Sequence, residues 1–301
     1  MAESFEFNGV DSKDIGLYIM NFDGNDTNGT ASIGDEITFT TTRAANSDRL
    51  NFHGYTRETT LSTTFQIGKN PCGETDMVLS REKLAFIKSW LERKDGYKPL
   101  RFFQDQYEDT YFFCKIHTEW IRIGGKIVGV ECSVTCNAPY GYSQVQGLDV
   151  QLNDGDSFTI FNDTDEVGSI DIDQIEIGVT NGDDCTITIS NELDKVFSMG
   201  RNYTTKIEHC NSGEYILIDG YNHSIKTSDS FCSKHTNGNI CDDFNYKYPR
   251  LINISTNLPL LNYIPSNNYE TYDENRINTF TVTGASCNIT IAYRTIRSVM
   301  P

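Results

Sequence analysis

The sequence predicts an all-β chain built as two sandwich-like domains, with one helix in the first. Three observations predict it. Short runs alternating apolar and polar residues, rich in Thr, Ile, Val and aromatics, recur along most of the 301 residues. A helical period shows in a single segment. Turn residues interrupt the pattern at Asn137-Ala-Pro-Tyr-Gly-Tyr-Ser143, which divides the chain into expected domains 1–142 and 143–301. Each is long enough to bury a core of its own.

Taken in order, Phe5-Glu-Phe-Asn-Gly-Val10 reads as a strand running into a turn, and Asn21–Gly34, polar and rich in Gly and Asp, as a loop. Glu36–Arg43 alternates with a strand period, Asn51–Thr56 follows, and Thr59–Ile67 places Leu61, Thr63, Phe65 and Ile67 on one face. Leu79–Asp95 carries the helix, expected over about residues 80–95: Ser80 is its N-cap, Glu82 lies in the first turn, and Lys94 and Gly96 close it. Leu84, Ile87 and Leu91 form its core stripe, while Phe86 and Trp90 widen the stripe and could reach a neighbouring subunit. Strands resume at Leu100–Phe103 and Thr110–Ile116. Glu119–Cys136 then reads as a hairpin turning at Gly124-Gly125.

Beyond Gln151 no further helix is expected. Ser157–Ile160, Asp173–Val179, Cys185–Ser190, Phe197, Glu214–Ile218, Ser224–Lys226, Arg250–Ile254, Thr279–Thr283 and Asn288–Arg294 read as strands. Many short strands joined by Gly, Asn and Asp turns imply a second sandwich of jelly-roll kind. Thr227–Asn245 and Pro265–Asn275 are its expected loops.

Composition narrows the function. Hydrophobic residues at 38% and charged residues at 22% belong to ordinary globular material. A net charge of −17 argues against a surface that grips nucleic acid, which needs clustered Lys and Arg. No basic-then-apolar leader opens the chain, and no apolar run of about 18 residues exists to span a membrane. Nine cysteines, an odd number, are expected as free thiols made in a reducing cytoplasm.

The opening Phe5-Glu-Phe-Asn-Gly-Val-Asp-Ser12 with Asp14-Ile-Gly-Leu17 resembles the start of siphophage distal tail proteins. So do Leu79-Ser80, Ile87-Lys-Ser-Trp-Leu91 and Asp95-Gly-Tyr97 in the middle, and the closing Gly129-Val-Glu-Cys-Ser-Val-Thr-Cys-Asn-Ala-Pro-Tyr140. In the second half, Ser212–Gly220, Tyr248-Pro-Arg-Leu251, Asn278–Gly284 and Cys287–Arg294 are similar, in that order, to the family's galectin-like C-terminal domain. Ser228–Asp243 and Asn257–Asn275 are longer than the family pattern. The resemblance implies a structural virion protein, made in the host bacterial cytoplasm and carried in the phage tail. It implies a homo-hexameric ring built by the N-terminal domain. That ring would join the tail tube protein to the tail hub and often to receptor-binding proteins, with DNA passing the lumen unbound and no membrane insertion. No cofactor follows from it, and no ring-interface residue is assigned. The alternative from another class is a carbohydrate-binding adhesin domain contacting the host surface.

No candidate motif is complete for its chemistry. Gly155-Asp-Ser-Phe158 matches the opening of certain esterases, but none of the five histidines has the expected Asp two residues before it, and Ser157 starts a strand. Glu208-His-Cys210 with Cys232, His235 and Cys241 offers zinc-type ligands without two close pairs. The acidic run Asn162–Glu166 resembles a calcium loop, but Gln174 stands where the bidentate Glu belongs. Cys132 and Cys136 share one strand face, too far apart to bridge, as small apolar residues. For sugar stacking, both tryptophans lie in the first half, leaving Tyr221, Tyr246, Tyr248, Tyr263, Tyr269 and Tyr272. No acid–base dyad, nucleophile or metal site stands out, and the chain reads as a non-enzyme.

Overall fold

Antiparallel pairing makes up nearly all the regular structure in the computed structural model, which describes residues 4–22, 37–43, 48–57, 60–104, 107–197, 204–220, 222–232, 240, 248–249, 258–264 and 274–297. The chain separates into two units, residues 1–143 with the end from Arg297, and Gln144–Ile296.

The first unit contains β1 (Phe5–Phe7), β2 (Val10–Asp11), β3 (Tyr18–Ile19), β4 (Ile37–Arg43), β5 (Leu50–Arg57), β6 (Ser62–Gly68), α1 (Arg81–Leu91), β7 (Lys98–Phe102), β8 (Tyr111–Ile123), β9 (Lys126–Cys136) and β10 (Gly141–Tyr142). Its main sheet runs β2-β1-β7-β8-β9-β6-β3, and β10 pairs with β8. The β8–β9 hairpin turns at Gly124 and Gly125, whose φ values of 58° and 81° suit the turn type that follows strand twist. Thr110–Ile116 and Glu119–Ile123 are not separate strands: β8 runs unbroken for 13 residues. The polar stretch around Thr118 looks like a break. In the fold, Glu92 Oε1 accepts from both the Thr118 backbone N–H (3.2 Å) and its hydroxyl (2.7 Å), so the strand continues through.

Helix α1 starts where Ser80 caps it, its Oγ accepting from the Lys83 backbone N–H at 3.2 Å. It ends at Leu91, four residues short of the expected Asp95. The reason is local: Asp95 is held by Arg93 in a two-pronged contact (3.0 and 2.9 Å) and by Lys98 (3.1 Å), and Gly96 turns at φ 106°. Ile87, Trp90 and Leu91 are buried against Phe5, Phe7, Leu100 and Phe112. Trp90 therefore cannot reach a neighbouring subunit. Its ring stacks on Phe5 at 5.5 Å, and its indole N–H donates to the Phe7 carbonyl at 2.9 Å. Phe86 remains half exposed, lying over the Trp90 ring.

The second unit contains β11 (Gln146–Leu152), β12 (Ser157–Phe161), β13 (Gly168–Asp171), β14 (Gln174–Asn181), β15 (Cys185–Asn191), α2 (Glu192–Phe197), β16 (Thr204–Cys210), β17 (Tyr215–Asp219), β18 (Ser224–Ser228), β19 (Tyr248–Pro249), β20 (Leu260–Tyr263), β21 (Ile277–Thr283) and β22 (Ser286–Tyr293). One sheet runs β11-β22-β14-β17-β18-β19 and the other β12-β21-β15-β16, with β13 and β20 pairing separately. Ile175, Ile177, Ile216, Ile218, Ile289 and Ile291 from the first meet Phe158, Ile160, Ile187, Ile189, Phe280 and Val282 from the second in one core. This is a sandwich, all-β in class as expected, with two corrections. A second helix, α2, follows β15, and Phe197 belongs to it and not to a strand. The loop expected from Thr227 begins later, because Thr227 and Ser228 complete β18. Arg250–Ile254 lies outside the described residues.

Candidate assembly surfaces

The chemistry-bearing residues are dispersed. Ser157 sits at the start of β12 with its hydroxyl 2.8 Å from that of Thr281, an ordinary cross-strand pair. His209 is exposed and bonded through Nδ1 to Asp184 Oδ1 at 2.6 Å, while its neighbour Cys210 is buried, its thiol donating to the Ile207 carbonyl. These two do not converge on a metal. Cys232 is disulfide-bonded, against the expectation of free thiols, and so is no zinc ligand. Its partner, like His235, lies outside the described residues. The acidic run closes on itself: Asn162 Oδ1 accepts from the Thr164 N–H, and the Thr164 hydroxyl donates to the Ile296 carbonyl. Among the candidate sugar-stacking tyrosines, Tyr263 is buried beneath the Arg276 guanidinium, 4.2 Å from its ring centre. Tyr221, Tyr246, Tyr269 and Tyr272 lie outside the described residues, as does the side chain of Tyr248.

Among the described residues seven cysteines are free, and only Cys72 is exposed. Burial pushes the Cys114 and Cys132 thiols far up, Cys136 up to about 12 and Cys287 up to about 11. Their folded-state pKa values stand above those of an unfolded chain, so the stability they confer is complete below about pH 8.5 and is lost as pH rises towards the folded values. We expect the unfolding midpoint to fall steadily between pH 8.5 and 11, and Cys132→Ala to flatten part of that slope. A midpoint flat across the range would show that these thiols are hydrated. A thiol-reactive dye should modify Cys72 at once and the core cysteines only on unfolding.

The conspicuous surface feature is the β4–β5 ribbon. Among the described residues these strands pair only with each other. Phe39, Leu50 and Phe52 on it are 62%, 54% and 60% exposed, and the Phe39 and Phe52 rings meet edge to face at 5.5 Å. A lone two-stranded ribbon is marginally stable in water, and clustered exposed aromatics mark contact sites. Alternation in the sequence identified these strands but gave no sign that Phe39, Leu50 and Phe52 would stay exposed. A smaller apolar pair, Phe161 opposite Ile277, lies on the outer side of β12 and β21.

Residues 1–138 match the family described as phage tail protein N-terminal domain, and residues 140–293 that described as phage tail C-terminal domain. Among solved structures, the fold is similar to that of phage SPP1 Dit (gp 19.1), described as a paradigm of the hub adsorption apparatus in phages infecting Gram-positive bacteria. The TM-score is 0.58 at 13% identity, over 98% of this chain and 99% of that one. A fainter likeness, TM-score 0.39 at 13% identity, is to a chain of the phage p2 baseplate in its activated conformation, over 97% of this chain and 98% of that one. No curated protein matches the sequence. With both domain families matched in order along its length, the chain belongs to the phage tail proteins, and its fold is like that of the SPP1 Dit protein.

Proposed function

We propose that the chain assembles with copies of itself into a closed ring at the tail tip, hexameric by the resemblance, joining the tail tube to the hub and receptor-binding proteins. Residues 1–142 would build the ring and 143–301 would project from it. The ribbon carries this reading. It is too small to be stable unsupported, it exposes apolar rings on a strand pair whose edges are open among the described residues, and heterologous contacts of that kind close into rings. Its charge points to a copy as the partner. Residues 37–57 hold Arg43, Arg49 and Arg57 against Asp48, in a chain of net charge −17. Attraction between a basic ribbon and an acidic neighbour speeds docking and selects its orientation. The same acidity suits a lumen that lets DNA pass without adhering.

The test is the mass of the full chain in solution, by light scattering alone and with its tube and hub partners. We expect a closed multimer, reduced to monomer by the pair Phe39→Ser and Phe52→Ser with the thermal midpoint essentially unchanged, because both rings are solvated in the subunit. Assembly unaffected by that pair would remove the ribbon from the interface. A wild-type chain that remains monomeric with every partner present would remove the ring.

A further inference from the structure

Two free thiols of the first unit face each other across the β8–β9 hairpin. Cys114 on β8 and Cys136, the last residue of β9, are register partners, and both are 0% exposed in the same core. The backbone bonds identify the kind of pair they form. The Asn137 N–H donates to the Phe113 carbonyl at 2.8 Å, while the Cys136 N–H turns the other way, to the Leu61 carbonyl at 2.8 Å. Residues 113 and 137 therefore carry the ladder bonds, and 114 and 136 occupy the adjoining position without them. At such positions of an antiparallel pair the Cα atoms lie about 4.5 Å apart and the side chains approach most closely. A disulfide needs Cα atoms about 4.4–6.8 Å apart, so this site admits one with the strands where they are. Cys132 has no such partner. It stands opposite Thr118 on β8 and Phe65 on β6. Four residues along the strands separate it from Cys136 and from the level of Cys114, roughly 13 Å at about 3.3 Å per residue.

Burial sets when the pair reacts. The thiolate is the attacking form, and burial pushes both thiols up, Cys136 to about 12. The closed dithiol is therefore inert, and reaction waits for the hairpin to open at the end away from Gly124-Gly125. We propose that Cys114 and Cys136 are a latent cross-strand disulfide: a dithiol in a reducing medium and, with a disulfide oxidant, a single bridge tying β8 to β9. One thiolate attacks the oxidant, forming a mixed disulfide and releasing half of the oxidant as a thiol. The other cysteine displaces the remaining half as the protein S–S bond forms. The oxidant ends as two thiols, having taken two electrons and the two cysteine protons, and a dithiol reverses both steps. Because β8 and β9 are neighbours within the main sheet path, the bridge restricts the open states of the whole unit. The bridge is independent of the ring reading.

The test equilibrates the full chain with oxidised and reduced glutathione in urea just below the midpoint of the first unit, so that pairings reshuffle. The chain is then returned to buffer, blocked with iodoacetamide and mapped unreduced by mass spectrometry. Peptides joining residues 114 and 136 should exceed every other link within the first unit at least tenfold, and Cys132→Ala should give the same link. The oxidised first unit should unfold at a higher urea midpoint than the reduced one, and a dithiol should restore the lower value. Thiols left free, glutathione adducts alone, or links to Cys132 or Cys72 in equal amount overturn the bridge. A 114–136 link that lowers the midpoint overturns it too, since the strands would then have to move to accept it. The wild-type map decides this whether or not Cys132→Ala folds.

Discussion

Replacing Trp90 with alanine should destabilise the first unit by about 3–5 kcal/mol, the range for deleting a large buried aromatic. Three contacts are lost together: the stack on Phe5 at 5.5 Å, the edge contact with Phe7 at 6.4 Å, and the N–H bond to the Phe7 carbonyl at 2.9 Å. Phe5 and Phe7 sit on β1, next to the outermost strand of the sheet path, so Trp90 is what fastens α1 to that margin. Trp90→Phe keeps most of the ring packing and drops the hydrogen bond, and should cost about 1–2 kcal/mol. Denaturant titration followed separately in each unit is the proper readout, because two units need not unfold together. A loss below about 1 kcal/mol for Trp90→Ala would contradict the burial seen here, given how rarely fully packed aromatics are that tolerant. Trp90→Phe should also leave assembly intact, since no part of this ring forms an outer surface.

The features legible in the sequence were those written in a local period or a cap. Ser80 with Glu82 located the start of α1, Gly124-Gly125 located the tightest hairpin, and the alternation in Ser157–Ile160, Cys185–Ser190 and Thr279–Thr283 located three of the four strands in the smaller sheet. Features resting on distant partners were not legible. Helix α2 is six residues long, too short to show a period, and is begun by the Asn191 side chain accepting from the Leu193 N–H. Thr204–Cys210 reads as polar, and becomes a strand only through pairing with β15. The middle of β8 needs Glu92 from the helix end. For the candidate surface, period two identifies β4 and β5 but cannot say whether anything packs on them, because covering is a property of the whole fold. Burial of Trp90 was hidden for the same reason: its place on the helix stripe allowed either the core or a neighbour.

The polar centre of the second unit was invisible in sequence for a further reason: asparagines usually mark turns, and here four polar side chains are buried together. Asn278 Oδ1 accepts from the Asn191 amide and the Asn262 backbone N–H, each at 2.7 Å, and its own amide donates to the carbonyls of Asn262 and Arg276, each at 3.0 Å. Asn262 in turn donates to Asp194 Oδ1 at 2.7 Å and accepts from Ser169 Oγ at 2.6 Å. The end of β15, the short helix α2, and strands β13, β20 and β21 are thus tied at one point. Asn278→Ala leaves the Asn262 backbone N–H and two carbonyls without this partner, at about 1–3 kcal/mol for each orphaned buried group. We therefore expect a total of about 3–5 kcal/mol, and strong non-additivity with Asn191→Ala, since members of one network do not contribute independently. Burial already raises the Asp194 carboxyl pKa, the Asn262 bond working the other way. Asn278→Asp would place a second carboxyl in the same dry site and raise its pKa too. A carboxyl whose folded pKa is raised binds its proton more tightly in the folded state. Stability of this variant should then be greatest in acid and decline as pH rises from the ordinary carboxyl range through the folded value. A denaturation series from pH 4 to 8 should show a steeper decline in Asn278→Asp than in Asn278→Ala, which keeps only the Asp194 contribution, and parallel curves for the two would mean that water reaches the network.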